Sequence, residues 1–292
     1  MWRRRALLAL RGGTRDRRLQ GLTSINSLGR DNGIKTIPVQ QGEIRMIPLL
    51  ADAIDAHGGA SRWRTHDRLS ASFIIEGELW DLKSVSQDGR ARTVHVDLHR
   101  QWASVENLGK PGQRSDFTAD RVAVISDSGR TIAERQNPRA SFEGHDMRTA
   151  WDLLHRAYFG GYALWTCLTT PFLLAMHEFE LREIEPWREG DEVWRGLRAV
   201  FPDRLASHSR EQDFYFGPDM LVRRHDYQVQ IAGAFSVVQY ISEPVVVEGV
   251  KIPTKMRAYL RDSDLRPVPE DLMIGLDLFA PRFSQTNSNT DL

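Results

Sequence analysis

Apolar and polar positions change period several times along the chain, and each change marks an element. Leu49, Leu50, Ala53, Ile54 and His57 recur at helical spacing, and Gly58-Gly59 follows as a stop. A helix of about ten residues is therefore predicted from Ile47. Leu69, Ala71, Phe73 and Ile75 then alternate with other residues, a run that Gly77-Glu-Leu-Trp80 is expected to continue. Val94, Val96 and Leu98 alternate strictly within Arg92–Leu98, and Asp88-Gly89 supplies a hairpin turn between the two runs. Comparable turn signals stand at Asp127-Ser-Gly129, Gly217-Pro-Asp219, Ala232-Gly233 and Glu248-Gly249. Short strands joined by tight turns imply antiparallel pairing, because parallel neighbours need long crossovers.

A helical block divides the strands. Asp146 is a possible cap for a helix carrying Ala150, Trp151, Leu154, Ala157 and Tyr158, with Gly160-Gly161 as its end. Tyr158 to Met176 carries no charge, close to the ~20 residues of a membrane span. Its paired glycines, three threonines and Pro171 point instead to one or two short helices buried against the sheet. Strands resume at Phe179–Ile184, Val193–Val200, Gln212–Phe216, Met220–Tyr227, Ala234–Ile241, Val245–Ile252 and Thr254–Leu260.

Charge changes the picture at the front. The 292 residues balance 39 basic against 39 acidic side chains, but residues 1–45 hold ten basic and three acidic groups, +7. That arm has too short an apolar run for a secretory signal. It reads as a disordered basic extension, which favours a cytoplasmic protein, or a periplasmic one if the true start lies elsewhere. Its arginines allow contact with a membrane surface. Residues 46–283 form the predicted domain, and 284–292 a flexible tail. The balanced charge argues against nucleic-acid binding, and a single cysteine, Cys167, excludes an intrachain disulfide and a Cys-rich zinc site.

Three stretches carry a resemblance: Asp213–Arg223 (DFYFGPDMLVR), Val238–Ser242 (VQYIS) and Val246–Lys255 (VVEGVKIPTK). They resemble the closing strands of the LolA/LolB-like superfamily of lipoprotein-sorting proteins, best between Phe179 and Arg261. The resemblance implies an α+β fold: a curved antiparallel sheet, an incomplete barrel, with helices covering its concave face. It also implies a cavity that holds an acyl chain or another lipophilic small molecule. Unlike the periplasmic carriers, this chain has no clear signal peptide and no lipobox cysteine. Trp80, Trp102, Tyr158, Trp165, Thr169, Phe172, Tyr215 and Tyr240 are the candidate ligand-binding residues, since aromatic side chains join broad apolar surface to one polar handle. Each could equally be core.

Catalytic motifs are absent: no Gly-x-Ser-x-Gly, no His-Glu-x-x-His, no phosphate-binding loop and no dinucleotide fingerprint. No cofactor is implied. His95, Asp97 and His99 fall on one strand face at i, i+2 and i+4, a possible metal row or a solvated outer face. His155 and His177 are the candidate acid–base groups, or else satisfied polar residues at helix ends. His225-Asp226, after Arg223-Arg224, reads as a strand edge facing water. Two functions follow: a carrier for a lipophilic ligand or, as the alternative, an isomerase- or cyclase-type enzyme using a cavity histidine.

Overall fold

In a computed structural model, residues 46–285 are described. The basic arm, its possible membrane contact and the tail beyond Gln285 lie outside them. The chain begins with helices α1 (Pro48–Ala56) and α2 (Ala60–Trp63). Gly58, at φ +118°, leaves no room for a side chain: a Cβ there would stand 2.3 Å from the Gly249 carbonyl oxygen. The glycine stop therefore also docks α1 onto a hairpin nearly two hundred residues away.

Seven further elements lead to the first sheet edge, β6: β1 (Arg68–Glu76), α3 (Glu78–Leu82), β2 (Arg92–Asp97), β3 (Ala103–Val105), β4 (Gln113–Phe117), β5 (Arg121–Ser126) and β6 (Thr131–Gln136). Helix α4 (Leu153–Thr169) carries the chain to the other edge. From there β7 (Glu180–Glu189), β8 (Glu192–Val200), β9 (Glu211–Phe216), β10 (Val222–Val229), β11 (Phe235–Val247), β12 (Val250–Arg261) and β13 (Pro267–Ser284) return. The result is one antiparallel sheet of thirteen strands, ordered β6-β5-β4-β3-β2-β1-β13-β12-β11-β10-β9-β8-β7. The sheet is not closed into a barrel, because β6 and β7 do not pair with each other.

Two meanders thus build the sheet from its edges inward. They meet where β13 docks beside β1, from Leu69 opposite Phe283 to Glu76 opposite Gly275. Sequence reasoning did not find β13. Its burial is irregular along eighteen residues, and its pairing with β12 slips in two places, so no clean period of two survives. Ser284, placed in the tail from sequence, still pairs with Arg68.

Two local expectations are corrected. Gly77-Glu-Leu-Trp80 does not extend β1 but turns into α3, so the β1–β2 connection is a helix and loop rather than a tight Asp88-Gly89 hairpin. Gly77, at φ +117°, lies where a Cβ would be 2.3 Å from the Met273 carbonyl oxygen, and Leu79 and Trp80 turn into the core. The second correction concerns α4. Asp152, not Asp146, is its cap, and the helix runs straight through Gly160-Gly161. Gly161 serves close packing: a Cβ there would lie 2.3 Å from Cγ of Phe117 on β4. Gly161→Ala is therefore expected to lower stability by about 1–3 kcal/mol through overpacking, although alanine is the better helix former. Thermal unfolding of the variant checks this.

Where sequence suggested one or two short helices against the sheet, the described residues hold one helix of 17 residues, α4. α4 packs on β2–β6, and its Cys167 reaches Gln239 of β11. No helix among the described residues is long and apolar enough to cross a membrane.

Candidate functional site

A half-open cavity of about 340 Å³ lies beside α1 and α2. Its walls are Met46, Ile54, Ala60, Trp63, Leu98, Phe172, Ala175 and Met176, with Arg64 and His99 as its polar members. Trp63 and Phe172 stack with ring centroids 4.2 Å apart and planes 5° from parallel. Phe283 of β13 closes on Trp63 edge-on at 6.1 Å. The cavity thus forms where the first helices, the segment just after β2 and the turn after α4 converge. Its volume falls within the roughly 300–1,000 Å³ usual for small-molecule sites. Both polar members are already engaged: Arg64 Nε donates to the Ala60 carbonyl and His99 Nε2 to the His66 carbonyl. An apolar guest that leaves these two bonds in place would displace water without stripping either group of its acceptor.

The space between α4 and the sheet is mostly filled by the protein itself. Tyr158, Tyr162 and Trp165 are almost wholly buried there. Trp165 Nε1 donates to the Asp97 carbonyl at 2.8 Å, and the Thr169 hydroxyl donates to the Trp165 carbonyl at 2.7 Å. Two small gaps remain, of about 30 and 50 Å³.

The eight proposed ligand residues do not converge. Phe172 lines the large cavity and Trp80 both small gaps. Tyr158, Trp165 and Thr169 are core. Trp102 donates to Asp116 at 2.8 Å and lies under the Arg68 guanidinium. Tyr215 and Tyr240 flank Arg224, on the face of the sheet opposite the one that carries His225. Trp63, Ile54 and Met176 were missed, because stacking partners 109 positions apart, such as Trp63 and Phe172, leave no local signal.

The histidine row does not assemble either. His95 accepts from Ser70 Oγ at 2.7 Å through Nδ1 and donates to Glu106 at 2.8 Å through Nε2. Asp97 accepts from the backbone N–H groups of His99 and Arg100, and His99 lies past the end of β2. Among the described residues, no group of three His, Cys, Asp or Glu is placed to hold a metal ion.

Neither acid–base candidate reaches a cavity described here. His155 locks the start of α4: its Nδ1 accepts from the Asp152 N–H, and its own N–H donates to Asp152 Oδ1 at 2.8 Å. Burial depresses its pKa. His177 is exposed after the turn that follows α4. The lone thiol is no nucleophile, because burial pushes Cys167 up to about 11. Nothing in this geometry supports the enzymatic alternative.

The charged run on β10 overturns the reading of His225-Asp226 as a water-facing edge. β10 is fourth from the β7 edge, and Arg224, His225 and Asp226 are all at most 3% exposed. On one face Arg224 grips Asp226 through two bonds of 2.7 and 2.6 Å, and Arg261 adds a third at 2.8 Å. Trp187 lies over the Arg224 guanidinium at 4.0 Å. On the other face His225 donates to Gln212 at 2.7 Å and stacks on Phe214. Pairwise neutralisation lets a polar run occupy an interior strand.

No family model matches this chain, and no curated protein matches it. Solved structures do. The chain is similar to a LolA superfamily protein from Nitrosomonas europaea, at 9% identity over 82% of this chain and 93% of that one, with a TM-score of 0.46. A DUF1329 family protein from Desulfovibrio piger matches at 11% identity over 82% and 94%, TM-score 0.48. A putative outer membrane lipoprotein-sorting protein domain from Vibrio parahaemolyticus matches at 9% identity over 83% and 94%, TM-score 0.44.

Proposed function

We propose that the protein is a non-catalytic binder of a lipophilic ligand, with the guest chain seated in the cavity walled by the stacked Trp63 and Phe172. The observation that carries this reading is the cavity itself: about 340 Å³, apolar on most of its walls, and open to solvent on one side. α4 acts as the cover of the concave face and holds the Phe172 turn in place. Burial of each methylene contributes about 0.8 kcal/mol, so shortening a bound chain by one methylene weakens it roughly fourfold.

Displacement of a fluorescent polyene fatty acid by saturated acids of decreasing length tests the reading. Uptake by the unaltered protein with that length dependence is expected. Ala175→Trp, a change at an exposed position that lines the cavity, is expected to abolish uptake and leave the unfolding midpoint within a few degrees. If the unaltered protein takes up no chain, and native mass spectrometry finds none carried through purification, the proposal fails.

A further inference from the structure

Beneath α4, the two small gaps share Ile75, Trp80, Gly160 and Leu164 as lining. Gly160 is unlike its neighbour. A Cβ built on Gly161 would collide with Phe117, whereas one built on Gly160 meets nothing within 4 Å. Glycine inside a helix costs about 1 kcal/mol relative to alanine, and no packing contact demands it at 160. The larger gap is lined mainly by apolar side chains, with Cys167, His208, Tyr227 and Gln239 as its polar members besides the Trp80 indole N–H, which is buried without a partner.

These four groups are uncharged at neutral pH. Burial drives the His208 pKa well down and the Tyr227 pKa well up, and keeps Cys167 protonated. His208 shares a 3.2 Å hydrogen bond with the Tyr162 hydroxyl, and Gln239 contacts the Cys167 sulfur at 3.8 Å. Tyr227 is only 6% exposed and lines the larger gap. Its hydroxyl, engaged by no side-chain hydrogen bond among the described residues, is not one of the fully buried orphaned polar atoms, so it retains accessible surface at which a guest oxygen can pair with it.

We propose that the gap beneath Gly160 binds an uncharged oxygen compound (a ketone, ester or alcohol) whose oxygen meets the Tyr227 hydroxyl and whose aliphatic part lies against Ile75, Trp80 and Leu164. A carboxylate is excluded, since no cation lines the larger gap to replace its hydration. At about 50 Å³ the space is smaller than the ~150 Å³ cavity that takes up benzene. The occupant is therefore a small free compound or the oxygen-bearing tip of a longer chain. This site is separate from the cavity at Trp63 and stands without it.

Amide NMR titrations of the full chain with 2-butanone, methyl decanoate and butyrate test the proposal. Saturable shifts near Gly160, Tyr227 and Gln239 are expected with 2-butanone if the natural guest is small and free, or with methyl decanoate alone if it is a chain tip. Butyrate is expected to leave those amides unmoved. Tyr227→Phe, which keeps the ring and removes the hydroxyl, is expected to weaken binding roughly five- to tenfold. Gly160→Leu is expected to abolish it, and Gly160→Ala to weaken it while raising the unfolding midpoint. No shift with either neutral probe, butyrate binding as well as 2-butanone, or Gly160 and Tyr227 variants that bind unchanged would each overturn the proposal.

Discussion

Asp226→Ala is expected to lower stability by about 3–5 kcal/mol, the range for removing one partner of a buried ion pair. Asp226 is 3% exposed and receives three guanidinium hydrogen bonds, two from Arg224 and one from Arg261. Without it, Arg224 keeps the Leu265 carbonyl as an acceptor and Trp187 beneath it, but no anion. Arg224 is fully buried, so water cannot take over. The loss therefore comes from a stranded cation more than from the missing bond. Arg224→Met combined with Asp226→Leu is expected to cost much less than Asp226→Ala alone, because the fully buried cation is then gone and only Arg261, which is partly exposed, loses its anion. Urea unfolding of the single and double variants decides this. A single variant within 1 kcal/mol of the unaltered protein would show that Arg224 finds solvent.

Acid is expected to unfold the protein early, and histidines are the reason. Burial lowers the pKa of His57 to about 4 and of His225 to about 3. In the unfolded chain both return to about 6.5. Above that pH each is neutral in both states and nothing changes. Below it the unfolded chain takes up protons that the folded one refuses, so stability falls as pH falls, down to about pH 4 for His57 and pH 3 for His225. Each group contributes at most about 1.4 kcal/mol per pH unit, so the two together remove about 4 kcal/mol by pH 5. His208, His145 and His155 are depressed by burial as well and act in the same direction. The urea midpoint should therefore drop sharply between pH 7.5 and pH 5. His57→Gln with His225→Gln should flatten that slope, whatever it does to stability at pH 7.5. Equal midpoints at the two pH values in the unaltered protein would refute the account.

The same residues show how far a sequence can be read. The first helix, the alternation in β2 and the turns at Asp127-Ser-Gly129 and Glu248-Gly249 were legible, because each rests on contacts within a few residues. Antiparallel pairing followed from the short turns. His225 and Asp226 were misjudged because charge was taken for exposure. Their partners, Gln212 and Arg261, lie on other strands, and no local pattern announces them. Gly160-Gly161 looked like a helix end for a similar reason. Only Phe117, more than forty residues earlier, explains why one of the two glycines must be there.

By itself the sequence determined local geometry: period, turn chemistry and the absence of known catalytic motifs, all of which depend on neighbours along the chain. Tertiary structure decided which surfaces are empty. The cavity at Trp63 and Phe172 needs α1, α2, the segment after β2 and the turn after α4 brought together, and Trp63 is backed by Phe283 of β13, a strand that left no periodic trace. A void is the space that distant side chains fail to fill, so its position depends on all of them and is encoded by none alone.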